Sequence, residues 1–350
     1  MELDRKQNIP ANTASKIRAL RKEAIDPNKL VEGILKVNKA SLGKAITLLE
    51  SAKPEHVSQA DEIIEKCLPY ATKSVRIGIT GVPGVGKSTF IEVFGKTLTN
   101  LGKKVAVLAI DPSSSLSKGS ILGDKTRMEE LSKDPNAFIR PSPSGESLGG
   151  VAQKTRETII LCEAAGYDVI LVETVGVGQS ETVVHSMVDF FLLLKLSGAG
   201  DELQGIKRGI MEMADAIAIN KADGKNRERA KLAQTEFSRA LHLYPPKEND
   251  WIPKVLACSA TENSGITEIW NTITEFLDKT KRNGHFRLKR NHQNKNWFLQ
   301  SLNQQLTQIL QQNEAFKKAK KTMLEAVEKN TVSPFKAARE VLKIVHDQLK

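Results

Sequence analysis

Seven short apolar runs alternate with longer amphipathic stretches through the middle of the chain. The runs have the length of buried strands, and the stretches between them repeat apolar residues every three or four positions, as helices do. This alternation is typical of βαβ units, which build a mainly parallel sheet covered by helices. We therefore predict an α/β fold with strands over residues 75–80, 104–110, 137–140, 168–173, 188–194, 215–220 and 254–258.

The segments on either side of this alternation have a helical pattern. Residues 1–72 repeat apolar positions at mixed spacings of three and four, with Pro27 and Ser41 as helix start signals. Residues 279–295 are polar and predict an irregular connection to further helices, which Pro334 divides. We accordingly predict an N-terminal helical extension (1–72), an α/β domain (73–278) and a C-terminal helical arm (279–350).

Composition narrows the class of protein. Of 350 residues, 27% are charged and 40% are hydrophobic, which fits a globular protein. No apolar run approaches the ~20 residues that cross a membrane, and the first residues lack the apolar core of a signal peptide. The sequence thus predicts no membrane span and a cytoplasmic location. Three isolated cysteines predict neither a disulfide framework nor a zinc site.

The net charge of +11 is concentrated at the C-terminal end. Residues 281–350 contain fifteen Lys or Arg against five Asp or Glu. A basic segment of this kind can bind nucleic acid or an acidic membrane surface. No nucleic-acid-binding motif accompanies it, so we expect no nucleic acid partner and favour a solvated helical face or a surface for a protein partner.

A glycine-rich loop follows the first strand candidate and precedes a helical pattern. It has the form G-x-x-x-x-G-K-[ST] in the strand–loop–helix context that phosphate binding requires. Its glycines let consecutive backbone N–H groups point at an anion at the helix N-terminus. Lys87 should reach the β- and γ-phosphates, and the Ser88 hydroxyl should bind Mg²⁺. The predicted nucleotide contacts in this loop are Gly81, Val82, Pro83, Gly84, Val85, Gly86, Lys87, Ser88 and Thr89.

Asn220-Lys221-Ala222-Asp223 lies at the end of the sixth strand candidate, where a base would sit. Asp223 can accept hydrogen bonds from the N1–H and the exocyclic amine of guanine. Adenine lacks this donor pair and would leave the carboxylate unpaired, at a cost of about a few kcal/mol. Asn220 would meet the other edge of the base, the Lys221 stem would cover its face, and a backbone N–H at Ser259-Ala260 would reach the guanine carbonyl. These features favour GTP over ATP, so the predicted cofactors are GTP/GDP and Mg²⁺.

Carboxylates at the ends of two strand candidates predict a metal site beside the phosphates. Asp111 follows the strand after the loop helix, and Glu173 stands where the Asp of a D-x-x-G motif is usual. A carboxylate one methylene longer still suits Mg²⁺ held through water, and Gly176 would offer its N–H to the γ-phosphate. The predicted metal group is Ser88, Asp111 and Glu173, with Asp124 as a fourth candidate, and the predicted catalytic residues are Lys87, Asp111 and Glu173.

Three loops are candidates for sensing the γ-phosphate: 111–128, 174–188 and 197–208. The alternative for the third is an ordinary loop at the edge of the site. Gln179 is a candidate for orienting water, although it does not directly follow Gly176. No arginine finger is evident in the nucleotide motifs, so we expect slow basal hydrolysis. The candidate switch residues are Gln179, Asp201, Glu202, Gln204 and Lys207.

Taken together, these motifs resemble the MeaB/ArgK/MMAA family of G proteins. The resemblance spans about residues 40–280, and the long blocks at 173–181 and 198–215 make it specific. Residues 145–147 (Gly-Glu-Ser) depart from the small uncharged residues that the family tends to have there. The matching blocks are 81–89, 111–114, 140–144, 173–181, 198–207 and 220–223.

The resemblance implies a P-loop NTPase of the SIMIBI (signal-recognition and MinD-like) class with GTPase activity. It also implies a homodimer joined largely through its C-terminal helices. It implies a chaperone of an adenosylcobalamin-dependent acyl-CoA mutase, typically methylmalonyl-CoA mutase, in which GTP binding and hydrolysis gate cofactor delivery and protect the mutase. It further implies that residues 198–207 form a third switch, with Lys207 as its lysine.

Two other functions stay open at this point. One is an ATPase or kinase linked to amino-acid (lysine, arginine, ornithine) transport, a name that some members of the family have carried. The segment 220–223 and the lack of a kinase catalytic loop in the sequence argue against it. The other is a membrane- or RNA-associated targeting GTPase, which the basic C-terminal segment suggests.

Overall fold

The computed structural model describes residues 25–51, 53–71, 73–110, 128–141, 148–174, 180–197 and 208–348. By compactness the chain divides into two units, Met1–Thr274 and Glu275–Lys350. The first unit contains the sheet and the N-terminal helices, and the second contains the C-terminal helices. Among the described residues, no helix is both long and apolar enough to cross a membrane.

Within the described residues, seven strands form one sheet in the order β3-β2-β4-β1-β5-β6-β7, and every neighbouring pair is parallel. The α/β prediction is therefore confirmed. Central strands of such a sheet are buried on both faces, which explains why they are nearly continuous apolar runs. The strands are β1 (Val75–Gly81), β2 (Val105–Ile110), β3 (Ala137–Arg140), β4 (Val169–Thr174), β5 (Phe190–Leu196), β6 (Ala216–Asn220) and β7 (Lys254–Ala257).

An aspartate directly precedes each of the strands β4, β5 and β6. Each of these carboxylates accepts a hydrogen bond from a backbone N–H at or just before the start of the neighbouring strand. These bonds join Asp168 to Lys104 (2.8 Å), Asp189 to Arg76 (2.8 Å) and Asp215 to Phe191 (2.9 Å). A slip of one residue between strands would turn every side chain to the opposite face. The alignment of the sheet is thus fixed at its amino-terminal edge.

Helices cover the sheet in the first unit. A buried ion pair joins β1 to one of them, since the Arg76 guanidinium donates to both Glu163 carboxylate oxygens at 2.8 and 3.0 Å. Among the described residues, the helices before β7 are α1 (Pro27–Leu35), α2 (Lys39–Leu49), α3 (Pro54–Cys67), α4 (Lys87–Asn100), α5 (Glu129–Lys133), α6 (Leu148–Ala164), α7 (Ser180–His185), α8 (Arg208–Met213) and α9 (Arg227–Leu241).

The two predicted start signals of the N-terminal helices have different outcomes. Pro27 is the first residue of α1, behind an Asp26 cap that accepts the Asn28 N–H at 2.9 Å. The prediction for Ser41 is wrong, because α2 begins two residues earlier. Its cap is Asn38, whose side chain accepts the Ser41 N–H at 2.9 Å, a role that asparagine fills as well as serine.

Residues 279–295 are helical, so the predicted irregular connection is wrong. Helix α10 (Ile266–Arg282) runs into this stretch and α11 (His285–Gln312) begins within it. The break is confined to Asn283 and Gly284, the latter in the left-handed region with φ +77°. Lysine, arginine and glutamine are good helix formers, so a solvated helix needs no apolar repeat to form. Two further helices follow, α12 (Glu314–Glu328) and α13 (Pro334–Gln348).

Candidate nucleotide-binding site

The glycine-rich loop lies between β1 and α4, at the carboxyl edge of the sheet. The Val85 N–H donates to the Val82 carbonyl at 3.2 Å and closes a turn. Gly84 and Gly86 have left-handed φ values of +81° and +90°, which glycine adopts without strain. Because Gly86 is the N-cap and has no side chain, the first N–H groups of α4 face the loop, the arrangement that binds anions.

Lys87 is the first residue of α4, and its ammonium group lies inside the loop. Its Nζ donates to the Gly81 carbonyl at 2.8 Å and to the Val82 carbonyl at 3.4 Å. Burial lowers the pKa of Lys87, against the opposing effect of the Glu173 and Glu181 carboxylates. Ser88 is partly exposed next to it, and Thr89 is exposed. The loop thus holds a lysine among backbone carbonyls, within reach of a phosphate chain bound there.

The segment after β6 is tied to the same loop by two side chains. Asn220 Nδ2 donates to the Val85 carbonyl at 2.8 Å, and Lys221 Nζ donates to the Gly84 carbonyl at 2.8 Å. The Asn220 amide oxygen in turn accepts a weak hydrogen bond from the buried Cys258 thiol at 3.7 Å. Two motifs more than 130 residues apart in sequence therefore form one surface, as their order predicted.

Asp223 lies beside the loop that follows β7. Its Oδ2 accepts hydrogen bonds from the Ser259 hydroxyl at 2.6 Å and from the Thr261 hydroxyl at 3.0 Å. The hydrogen bond from Ser259, and after it the one from Thr261, hold the pKa of Asp223 below its usual range. The positive charges of Arg227 and Lys221 add to this effect. The carboxylate is therefore ionised and oriented, which suits it to accept paired N–H donors.

The loop after β7 is held by its own backbone. Ser259 and Ser264 exchange N–H···O=C bonds of 2.9 and 3.0 Å across it, and Ala260 is buried. Gly265 closes the loop with φ +73°, and a Cβ there would lie 2.2 Å from the Ala257 carbonyl oxygen. Only glycine fits that position, so the place of Ser259 beside Asp223 depends on it.

Glu173 is the buried penultimate residue of β4, aligned with Ile79 of β1 and Ala109 of β2. Its charge and that of the buried Glu181 on α7 both act on Lys87. A hydrogen bond of 2.9 Å from the Thr174 hydroxyl to the Thr80 hydroxyl ties the end of β4 to the start of the phosphate loop. Two buried carboxylates thus favour the charged form of the loop lysine.

Several predicted site residues lie outside the described part of the chain: Asp111, Asp124, Gly176, Gln179, Asp201, Glu202, Gln204 and Lys207. Among the described residues, no group of three or more His, Cys, Asp or Glu side chains is arranged to hold a metal ion. The hydroxyl of Ser88 and the carboxylate of Glu173 are oxygen donors of the kind that Mg²⁺ prefers, so the donor chemistry fits and the metal group stays a prediction.

Three residues of the site were not predicted from the sequence as contributors. Glu181 lies inside a block that the sequence singles out, but nothing in the pattern directs its charge at Lys87. Cys258 and Thr261 flank Ser259, and their partners are set by tertiary contacts.

An all-parallel sheet with a phosphate loop after β1 and an Asn-Lys-x-Asp segment bonded to that loop defines a P-loop NTPase of the SIMIBI class. A family model described as "Methylmalonyl Co-A mutase-associated GTPase MeaB" matches residues 42–315. The chain belongs to this family. It is accordingly a GTPase, as its relatives are named, and it binds guanine nucleotides.

Curated relatives and a solved structure agree with this membership. "GTPase ArgK" of Escherichia coli (strain K12) is 46% identical over 310 residues, which cover 89% of this chain and 94% of the relative. "Methylmalonic aciduria type A homolog, mitochondrial" of Mus musculus is 44% identical over 326 residues, covering 90% of this chain and 79% of the relative. A solved structure described as "LAO/AO transport system kinase" has a TM-score of 0.74 at 38% identity and covers 93% of this chain and 100% of its own.

Proposed function

We propose that this GTPase is a chaperone of an adenosylcobalamin-dependent acyl-CoA mutase, methylmalonyl-CoA mutase being the favoured partner. Its nucleotide state gates cofactor loading and protects the mutase from inactivation. The observation that carries the proposal is the match of the mutase-associated GTPase model across both nucleotide motifs. The name of the mouse relative, which refers to methylmalonic aciduria, supports the same partner.

In this proposal the base half of the site selects guanine. The Asp223 carboxylate accepts the N1–H and the exocyclic amine, and the bonds from Ser259 and Thr261 keep it oriented for both. Asn220 meets the opposite edge of the base, and the Lys221 stem covers its face. The backbone at Ser259 and Ala260 supplies a donor to the guanine carbonyl.

The phosphate half holds and polarises the triphosphate. The Lys87 ammonium exchanges its loop carbonyls for β- and γ-phosphate oxygens, while the N–H groups from Gly81 to Thr89 surround the chain of phosphates. Ser88, Asp111 and Glu173, with Asp124, would hold Mg²⁺, which when bound neutralises phosphate charge. Lys87, Asp111 and Glu173 are the residues to which we assign catalysis.

Partner sensing is assigned to loops that follow β4 and β5. Gly176 reads the γ-phosphate through its N–H, and Gln179 is the candidate for orienting water. Asp201, Glu202, Gln204 and Lys207 form the switch that responds to the mutase. Order in such loops, gained with the γ-phosphate and released after hydrolysis, is the usual device of a GTPase switch.

A homodimer joined by the C-terminal helices is part of the proposal. Helix α11 exposes several apolar side chains, and four of them are spaced four, four and three residues apart, which places these four on one face. They include Phe298 and Ile309, each 65% exposed. A double Phe298→Glu, Ile309→Glu variant should sediment as a monomer in analytical ultracentrifugation. Sedimentation equal to that of the unaltered chain would contradict the assignment. The four residues are Phe298, Leu302, Leu306 and Ile309.

The partner and the base site can be tested in one experiment. Purified methylmalonyl-CoA mutase is passed over immobilised chain loaded with a non-hydrolysable analogue of GTP or of xanthosine triphosphate. The unaltered chain should retain the mutase with the GTP analogue. Asp223→Asn inverts the donor–acceptor pair, so the affinity of this variant for GTP should fall by about 100-fold or more. The variant should retain the mutase only when it is loaded with the xanthosine analogue.

The outcomes separate the two parts of the proposal. Retention that is absent with every nucleotide contradicts the mutase partnership. GTP affinity that is unchanged in Asp223→Asn contradicts the base site. A matched control is Asp250→Asn, since Asp250 lies in the loop before β7 and away from the Asn-Lys-x-Asp segment.

The competing function, a kinase or ATPase of amino-acid transport, is suggested by the description of the solved structure. Competition with labelled GTP distinguishes it. ATP should fail to displace GTP at equal concentration, because adenine lacks the paired N–H donors that Asp223 accepts. Displacement by ATP at equal concentration would favour the kinase function instead.

A further inference from the structure

Three oxygen atoms form a closed triangle at the base site. The Ser259 hydroxyl lies 2.6 Å from Asp223 Oδ2, the Thr261 hydroxyl lies 3.0 Å from the same oxygen, and the two hydroxyls are 2.9 Å apart. Ser259 is fully buried, whereas Thr261 is exposed. A single carboxylate oxygen is therefore held by a buried donor and a surface donor at once.

The number of protons decides what each hydroxyl does. A hydroxyl has one proton and two lone pairs. The Ser259 oxygen accepts the Glu262 N–H at 3.1 Å, and the Ser259 hydroxyl donates a hydrogen bond to Asp223 Oδ2 across the shortest contact, 2.6 Å. The Thr261 hydroxyl donates its one proton to the same Asp223 oxygen at 3.0 Å. Its 2.9 Å contact with the Ser259 hydroxyl holds the two donors side by side.

Two donors on the same oxygen restrict rotation of the carboxylate. The terminal torsion of an aspartate is broad and roughly two-fold, so one hydrogen bond leaves its plane free to tilt. A second donor at a different angle defines the plane and makes the two oxygens inequivalent. Since guanine presents two parallel N–H donors, its recognition depends on that plane more than recognition of a base with one donor does.

We propose that Thr261 is a specificity-determining residue that orients the Asp223 carboxylate toward the N1–H and exocyclic amine of guanine. It acts through Asp223 and is therefore a positioning residue. The inference rests on the proposed role of Asp223 in reading the base. Its readout is the preference for GTP over inosine triphosphate, a nucleotide that keeps the N1–H and lacks the amine.

The surroundings of Thr261 make its hydroxyl separable from the fold. The loop is held by the Ser259–Ser264 backbone pair and by an ion pair between Arg227 and Glu262 at 2.6 Å. This pair is exposed and contributes little by itself. Thr261 is at the surface, so replacing its hydroxyl by a methyl group leaves the backbone bonds in place.

The test compares GTP, inosine triphosphate and ATP affinities of the unaltered chain, Thr261→Val and Thr261→Ser. Thr261→Val should lower the affinity for GTP by about 3- to 10-fold, the range of one hydrogen bond. It should lower the affinity for inosine triphosphate by a smaller factor. Thr261→Ser keeps the hydroxyl and should restore the ratio. Thr235→Val is the matched control, because Thr235 is an exposed threonine of α9 whose hydroxyl bonds its own helix.

Two results would overturn the inference: an unchanged ratio in Thr261→Val, or equal loss of both nucleotides with no rescue by serine. Thermal unfolding of each variant should match that of the unaltered chain, which shows that the loop is intact. Failure of the proposed base site looks different, since the unaltered chain would then show no preference for GTP over ATP. Failure of the mutase partnership appears only as absent retention of the mutase.

Discussion

The phosphate half of the site (residues 81–89) and the base half (residues 220–223 and 259–261) use different chemical groups. The phosphate loop consists of backbone groups and one lysine, with Lys87 bonded to two carbonyls. The base half consists of side chains, with Asp223 held by two hydroxyls. Phosphates are common to all nucleotides, so charge and backbone suffice for them. Choosing one base requires a carboxylate held in one orientation.

The two halves are joined at Asn220 and Lys221, which donate to the carbonyls of Val85 and Gly84. A substitution in one half can therefore affect that half alone, or it can also disturb the other half through these two bonds. The ratio of GTP affinity to inosine triphosphate affinity distinguishes the two outcomes, because this ratio depends on the base half alone.

The largest effect is expected from Lys87→Ala, which removes the charge of the phosphate half. The affinities for GTP, GDP and inosine triphosphate should all fall by about 100-fold or more, because several charge-assisted hydrogen bonds are lost. The ratio of GTP affinity to inosine triphosphate affinity should stay constant in calorimetric titrations. Lys225→Ala, which removes an exposed lysine in the short turn after Asp223, is the control. A changed ratio in Lys87→Ala would contradict the division into halves.

Gly265→Ala should damage the base half. Its Cβ would lie 2.2 Å from the Ala257 carbonyl at a left-handed φ, so the loop must shift at a cost of about 2–3 kcal/mol. We expect lower thermal stability and a reduced preference for GTP over ATP. Gly166→Ala is matched, since it has φ +76° and its Cβ would meet no described atom within 4 Å. Full guanine preference in Gly265→Ala would refute the dependence on this loop.

Gly86→Ala should disturb the junction of the halves. Its φ is +90°, and a Cβ would lie 3.0 Å from Asn220 Nδ2. Left-handed strain of about 1–2 kcal/mol should shift the loop away from the conformation that receives phosphates. Affinity for every nucleotide should then fall roughly tenfold, and the displaced Asn220 should also lower guanine preference. Gly102→Ala, at φ +76° with open space among the described atoms, carries the strain alone and should leave nucleotide affinity unchanged.

The smallest effect concerns pH. The ionised form of Asp223 accepts the guanine donors, and its pKa lies below the usual range because Ser259 and Thr261 donate to it, with Arg227 and Lys221 nearby. GTP binding should therefore persist as pH falls until the pH passes through that lowered pKa.

Ser259→Ala removes the stronger donor and raises the pKa of Asp223, so the acid limit of GTP binding should move to higher pH. Fluorescence titration of a labelled guanine nucleotide across pH 3–6, with circular dichroism to confirm folding, measures it. Ser132→Ala, an exposed hydroxyl on α5, should leave the profile unchanged. An unmoved limit in Ser259→Ala would show that the hydroxyl does not set the pKa.

The sheet was predictable because burial on both faces leaves a strong mark in the sequence. Seven apolar runs match seven strands to within two residues at each end. Glycines of the phosphate loop were predictable for a similar reason, since a left-handed backbone next to an anion leaves few other choices. Spacing placed Asn220 and Asp223 at the carboxyl edge of the sheet. Asp223 contacts Ser259 after the neighbouring strand β7, whereas Asn220 reaches across β5 to Val85 in the loop after β1.

What sequence reasoning missed depends on tertiary neighbours or on weak local preferences. The helical stretch 279–295 has no apolar repeat, so it resembles a loop although its residue types tolerate a helix. Asn38 is the N-cap in place of Ser41. Both residue types can cap a helix, so the residue type alone does not show where the helical backbone begins. The roles of Glu181 and Thr261 come from atoms far away along the chain, Lys87 and Asp223, which no local pattern encodes.

The aspartates that lead β4, β5 and β6 bear on the order in which the molecule assembles. Parallel strands are brought together from distant parts of the chain, so each pairing must offset the entropy of closing a long loop. A carboxylate that bonds its neighbour's N–H at the amino-terminal edge stabilises the correct alignment at the moment of pairing. These bonds join protein groups only, so the alignment that they fix does not depend on a bound nucleotide.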